Sequence, residues 1–138
     1  MSDLVRVSVS LERSLVEQFD RDIAADGYPT RSKAVGDLIR ERLTRRDWVK
    51  GKRVAGAILM VYDHHRHNLL NRLTAAQHDH HHLVIATQHF HLDHDNCLEM
   101  VVVRGKPAEI DTLFRKLKRI KGVKYCTLAA ATTGQTLA

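Results

Sequence analysis

The sequence has no apolar run approaching the length of about 18 residues that a membrane-spanning helix needs, which excludes an integral membrane protein of helical type. No basic start followed by a hydrophobic stretch opens it, so a secreted protein is not expected. Cysteine is scarce. Cys97 and Cys126 are the only two among 138 residues, which is too little for a disulfide scaffold and suits a reduced, cytoplasmic protein. An acidic excess is also missing. The formal net charge is +6, which suits an anionic partner such as nucleic acid. No internal repeat of solenoid period is present. Hydrophobic residues make up 43%, enough for a packed core and too many for general disorder.

What is present is unevenly spread. All ten histidines lie between His64 and His94, so their enrichment asks for a local explanation. The length allows one ordinary domain or two small ones. The best boundary is Val49-Lys50-Gly51-Lys52-Arg53, which follows a charged helical pattern and precedes an apolar run, with a glycine at its centre. The expected organisation is therefore a domain over 1–48, a linker over 49–53 and a domain over 54–138. A segment of about 50 residues hides too little surface to be comfortable alone, so the first domain is expected to oligomerise.

Residues 4–11 read Leu-Val-Arg-Val-Ser-Val-Ser-Leu, with Val5, Val7 and Val9 alternating with Arg6, Ser8 and Ser10. That is the period of a strand with one apolar and one polar face. Leu11, Leu15, Val16, Phe19 and Ile23 then fall at helical spacing up to a stop at Gly27. Thr30 is a fitting N-cap for a second helix carrying Ala34, Val35, Leu38, Ile39 and Leu43 and running to about Arg46. One strand and two helices cannot close a core. A two-fold dimer solves this by pairing two copies of the strand into an antiparallel ribbon. Such a ribbon fits the DNA major groove, where Arg6, Ser8 and Ser10 would face base edges. The helix start Thr30-Arg31-Ser32-Lys33 offers free N–H groups, the positive dipole end and two cations to a phosphate. In layout and length this part resembles a ribbon-helix-helix DNA-binding domain. The plainer alternative is a dimerisation module with ordinary solvated Arg and Ser.

The second part reads strand (54–62), helix (69–77), strand (83–92), strand (97–103), a helix opened by Pro107, and a strand (123–130). A β-α-β-β-α-β order is the ferredoxin-like arrangement. His89 and His91 are two apart on a strand and so share a face. The turn Asp93-His94-Asp95-Asn96 sends the next strand back, which can put Cys97 beside His91. A fourth ligand must come from elsewhere, and the tract His78-Asp79-His80-His81-His82 is the reservoir, from the same chain or a neighbour. Imidazoles with a thiolate suit zinc if tetrahedral, or nickel(II) or copper(II) if square-planar, and spacing alone does not choose. His64, His65, His67, His80, His81 and His82 read as solvated surface histidines, and Cys126 as a small buried hydrophobe.

The strings Gln77-His78-Asp79-His80-His81-His82 and Gln88-His89-Phe90-His91-Leu92-Asp93-His94-Asp95-Asn96-Cys97-Leu98-Glu99 resemble the nickel-responsive transcriptional regulators, the NikR family. The resemblance covers nearly the whole chain. It implies an α+β protein, an N-terminal ribbon-helix-helix domain followed by a ferredoxin-like βαββαβ regulatory domain of ACT type. It implies a homotetramer, a dimer of dimers, whose regulatory domains form the centre. It implies square-planar nickel held by His89, His91 and Cys97 of one subunit and His78 of its neighbour, with Glu99 orienting a ligand ring. Arg6, Ser8 and Ser10 match the family's base-reading positions, and Arg31 and Ser32 its phosphate contacts. The function so implied is repression of nickel-uptake genes through binding to double-stranded operator DNA when nickel is plentiful.

The sequence departs from better-known members at Lys33, where they carry a carboxylate that helps bind a second, hard cation together with the position of Asp37. The Lys33 ammonium is expected to sit near Asp37 in place of that ion. The expected switch is the ordering of residues 64–82 by the metal, which would bring Arg66 to the DNA backbone. A metal-storage or metal-delivery protein without sequence-specific DNA binding is the alternative. An enzyme is not expected, since four protein ligands leave no open position on a square-planar ion, nor is any membrane or small organic substrate.

Overall fold

The computed structural model describes residues 3–135 and Leu137. Helices α1 (Arg13–Ala25) and α2 (Arg31–Lys50) come first. They are followed by β1 (Val54–Asp63), α3 (Leu69–Asp79), β2 (Val84–His91), β3 (Asn96–Gly105), α4 (Pro107–Lys118) and β4 (Val123–Ala131). The chain divides into two compact units between Leu43 and Thr44.

In the first unit, α1 ends where Gly27 takes a positive φ of 78°, and its N–H donates back to Ala24 O at 3.1 Å. Thr30 caps α2, its Oγ1 accepting the Lys33 N–H at 3.1 Å. Ile23 and Ala34 are buried, but Leu15, Val35, Leu38 and Ile39 of the expected apolar stripes stand exposed. The expected strand over 4–11 is not formed by the single chain. Residues 3–12 carry no regular structure, and Val7 keeps 75% of its surface in water. The reason is physical: a strand exists only as one side of a ladder, and among the described residues none pairs with this segment. The first helix accordingly begins at Arg13 rather than Leu11.

The second helix runs past its expected end near Arg46 to Lys50, and Gly51 closes it with a φ of 74°. Its last turns belong to the second unit, where Trp48 packs against the core and donates its indole N–H to Ala131 O at 2.8 Å. The division therefore falls earlier than the expected linker at 49–53.

The second unit is a four-stranded antiparallel sheet in the order β2-β3-β1-β4. Along β1 and β3 burial alternates residue by residue, because one face is covered and the other is not. The covered face carries Ile58, Met60, Tyr62, Cys97, Val101 and Val103. Against it lie Leu69, Leu73 and Ala76 of α3 and Ile110, Leu113 and Leu117 of α4, at the spacing that puts them on one helical stripe. Pro107 opens α4 as a first-turn residue. Strand β2 lies at the sheet edge, and most of its residues are exposed, Ile85 and Phe90 among them. The histidine-bearing strand is thus the least covered part of a rigid sheet.

Candidate metal centre

The pairing of β2 with β3 sets His91 opposite Cys97 and His89 opposite Glu99. Directly paired residues share a face, so all four project to the side that α3 and α4 cover. On the next strand inward, Tyr62 lies opposite Cys97. Cys97 and Glu99 are buried, whereas His89 and His91 are exposed on the edge strand. A sulfur in a low-dielectric wall and two imidazoles at the rim are thereby neighbours.

Glu99 organises what surrounds it. Although 1% exposed, its carboxylate is fully engaged. Oε1 accepts the Tyr62 hydroxyl at 2.7 Å and lies 3.2 Å from His89 Nδ1; Oε2 accepts from Gln77 Nε2. The Gln77 amide oxygen in turn accepts Thr87 Oγ1–H at 2.9 Å. His89 Nδ1 also lies 3.2 Å from the Tyr62 hydroxyl, whose own proton is committed to Glu99. Both neighbours of Nδ1 are acceptors, so the network places the imidazole proton on Nδ1 and leaves Nε2 bare, the form a metal ligand needs. Burial first, and then the adjacent Glu99 carboxylate, push the Tyr62 phenol far above its ordinary range, so it remains a donor.

His78 sits one residue beyond Gln77, in the last turn of α3, and faces outward, its ring 5.9 Å from that of His81. One turn of helix therefore carries an inward residue tied to Glu99 and an outward imidazole. That helix is docked through Leu69, Leu73 and Ala76. The expected loose segment over 64–82 thus contains a helix anchored to the core by Leu69, Leu73 and Ala76, while most of its other residues are exposed.

The single chain does not draw all the donors together. Among the described residues, three His, Cys, Asp or Glu ligand atoms lie within 4.8 Å of one another at His65, His94 and Asp95, not at His89, His91 and Cys97. The His89 ring is held by Glu99, and the His91 ring stands edge-on to His64 with centroids 5.3 Å apart. The chemistry of the set still fits nickel(II): a thiolate-capable sulfur, an imidazole with its far nitrogen held protonated by a carboxylate, and a second imidazole directly across from the sulfur. Burial pushes the Cys126 thiol up to about 11, which makes it an inert core residue.

The residues expected to face DNA lie in three segments of the chain. Arg6, Ser8 and Ser10 lie in the exposed segment before α1. Ser32 is exposed in the first turn of α2. Arg31 forms a two-pronged ion pair with Asp20, at 3.0 and 2.7 Å, that a phosphate would have to share or displace. Arg66 lies over Gly122, where a Cβ would come within 2.7 Å of its Cδ. Lys33 Nζ meets Asp37 Oδ1 at 2.7 Å, as expected from the sequence, and Tyr28 and Arg40 join the same carboxylate. These partners, the Lys33 ammonium foremost, hold the Asp37 carboxyl below its ordinary range.

Tyr62, Gln77 and Thr87 were not legible as site residues. Two signals pointed toward them: a tyrosine on a strand of otherwise apolar residues needs a buried partner, and Gln77 directly precedes His78.

Comparison with known proteins follows this division. The NikR C terminal nickel binding domain family matches residues 55–131, and the ribbon-helix-helix protein, copG family, matches residues 5–46. A protein of Chlorobaculum tepidum is 55% identical over 129 residues, covering 94% of this chain and 96% of its own. One of Syntrophus aciditrophicus is 50% identical over 135 residues, 98% of each. One of Desulfovibrio desulfuricans is 44% identical over 138 residues, the full length of each. All three carry the name "Putative nickel-responsive regulator". A solved structure of an uncharacterized protein from Thermotoga maritima superposes with a TM-score of 0.52 at 14% identity, over 57% of this chain and 98% of that one. It speaks for the fold alone.

Proposed function

The chain belongs to the family of nickel-responsive regulators, and from that premise we propose that it is a nickel-dependent repressor of nickel-uptake genes that closes its metal site between subunits. The observation that carries this is the buried Glu99 carboxylate aimed at the Nδ1 of His89, beside a His91–Cys97 pair in register. A buried carboxylate anchoring an edge-strand imidazole has little to gain as packing, whereas it is what a ligand ring requires.

In this reading His89 through Nε2, His91 and Cys97 bind the ion, and Glu99, itself fixed by Tyr62 and Gln77, orients His89. His78, facing outward, serves the site of a neighbouring subunit. Bound nickel would supply the bond that ties His78 of one subunit to the sheet of the next. Residues 54–138 carry the sensing and tetramerising part and residues 1–43 the DNA-binding part, with the end of α2 joining them in the chain. The exposed Leu15, Val35, Leu38 and Ile39 support a dimer of the N-terminal part, since an apolar surface of that extent calls for cover. Dimerisation would also pair the two segments carrying Arg6, Ser8 and Ser10 into the ribbon that reads operator DNA. Arg31 and Ser32 at the start of α2, and Arg66, would hold phosphates. The coupling is the difference in metal affinity between DNA-competent and other arrangements of the assembly. Among the described residues no helix is long and apolar enough to cross a membrane, and a cytoplasmic location is part of the proposal.

The test is selection of duplexes from a random pool by the full chain with nickel, followed by gel shift with and without the ion. The proposal expects a defined sequence retained only with nickel. Nickel binding without sequence-specific retention would instead make the chain a storage or delivery protein.

A further inference from the structure

Arg66 and Gly122 stand far apart in the chain and are packed together within the second unit. Gly122 is the third residue of the turn Ile120-Lys121-Gly122-Val123, in which the Val123 N–H donates to Ile120 O at 3.1 Å. Its φ of 106° is one that residues with a side chain rarely adopt. A Cβ at this position would also meet Arg66, at 2.7 Å from Cδ and 3.2 Å from Nε, and would lie 3.2 Å from Leu69 Cδ2. The Arg66 stem therefore rests on bare backbone beside a core leucine. The Arg66 backbone is held as well, its N–H donating to Asp63 O at 3.1 Å and its carbonyl accepting the Leu69 N–H at 3.3 Å. The head of the side chain is different. Arg66 is exposed, and among the described residues its guanidinium has no hydrogen-bond or ion-pair partner. The arginines at the end of α4 are engaged instead, Arg115 with Asp111 at 2.9 Å and Arg119 Nε with Arg115 O at 3.1 Å.

We propose that Gly122 is a positioning residue for Arg66: its missing side chain leaves a bed for the arginine stem, so that an unpaired guanidinium is offered to a DNA phosphate with its stem already in place. An unsupported arginine loses the freedom of several rotatable bonds when it grips an anion, and a paired one must first share or release its carboxylate. Arg66 is spared both costs, whereas Arg31 remains tied to Asp20. Gly122 acts through Arg66 and touches no phosphate itself. The inference rests on the reading of Arg66 as a phosphate contact and adds the residue that makes that contact cheap to form.

The test measures nickel-dependent binding of the full chain to a duplex selected as above, at several salt concentrations, for Gly122→Ala, Arg66→Ala and the double variant. Gly122→Ala is expected to weaken binding about 2- to 10-fold, the cost of immobilising one long side chain, and to leave tight nickel binding as in the parent. With Ala at position 66 the same change is expected to cost no further affinity, because the stem it would displace is gone. A loss of equal size in both backgrounds overturns the proposal, since Gly122 would then act on the fold and not through Arg66. An Arg66→Ala chain that binds as tightly as the parent, with an unchanged salt dependence, removes the phosphate contact itself and this inference with it. A second measurement needs no variant: nitrogen relaxation of the arginine Nε–H groups in the DNA-free parent. The Arg66 group is expected to be more ordered than that of Arg104, which is exposed and likewise unpaired among the described residues. Equal mobility of the two overturns the proposal whatever the variants do.

Discussion

Replacing Glu99 by glutamine keeps the shape of the side chain and removes an acceptor. The carboxylate receives Tyr62 and His89 at Oε1 and Gln77 at Oε2. An amide offers one oxygen and one NH2 group, so with Gln77 and Tyr62 in their present donor roles a donor meets a donor whichever way it turns. If its oxygen faces Tyr62 and His89, its NH2 opposes Gln77 Nε2, which frees the end of α3 beside His78. If it turns over, His89 loses the acceptor that holds its proton on Nδ1. A hydrogen bond to a charged partner contributes about 1.5–3 kcal/mol, so the fold should lose stability on that order. Disturbing the orienting partner of a metal-bound histidine lowers metal affinity about 10- to 100-fold, which is about 1.4–2.8 kcal/mol. Competition against a chelator of known strength reads the affinity, and thermal melting of the metal-free protein reads the stability. A Glu99→Gln chain that melts lower but binds nickel as tightly as the parent refutes the reasoning, because Glu99 would then be a packing residue alone.

Gly56→Ala places a Cβ 2.9 Å from Ala129 O, a backbone atom that cannot turn aside; a loss of about 1–3 kcal/mol is expected from urea unfolding. Arg6→Ala is expected to weaken operator binding by about 1–3 kcal/mol and to relax selectivity at one position, with nonspecific binding nearly unchanged; equal losses on both DNAs in a gel shift remove its reading role. Asp93 is held below its ordinary range first by the Asn96 amide and then by the N–H groups of Asn96 and Asp95. Its contribution is therefore complete above its unfolded pKa, about 3.9, and fades as pH falls through the lower folded value. Asp93→Ala should lower stability at neutral pH and flatten the acid limb of a stability–pH curve, and an acid limb identical to the parent's would contradict this.

Much of the second unit could be read from residue order. Alternation along β1 and β3 and the stripes Leu69-Leu73-Ala76 and Ile110-Leu113-Leu117 are local patterns with one structural solution, and the β2 and β3 bounds moved by only a residue or two. What escaped depended on contacts between distant positions. The sequence places the end of α2 near Arg46 and a linker from Val49, whereas the helix runs to Lys50 because Trp48 packs against the core and bonds Ala131 O. The strand over 4–11 has the right period but needs a second chain, so periodicity alone could not form it. Glu99 was placed beside a ligand ring, yet its ties to Tyr62 and Gln77 span 37 and 22 residues and leave no local trace. His64 and His65 read as solvated surface groups; His65 is exposed and His64 half-buried, and a ring nitrogen of each lies near His94 O.

The claim at the centre is that the nickel site is shared, with His89, His91 and Cys97 from one subunit and His78 from another. Subunit exchange between a His78→Ala chain and a Cys97→Ala chain tests it most directly, by tight nickel binding before and after mixing. Neither variant should bind tightly alone, and the exchanged mixture should regain tight sites, because the intact sheet of one meets the intact helix end of the other. A mixture as inactive as its components, after exchange has been verified, would mean that each site is closed within a single chain or does not use these residues.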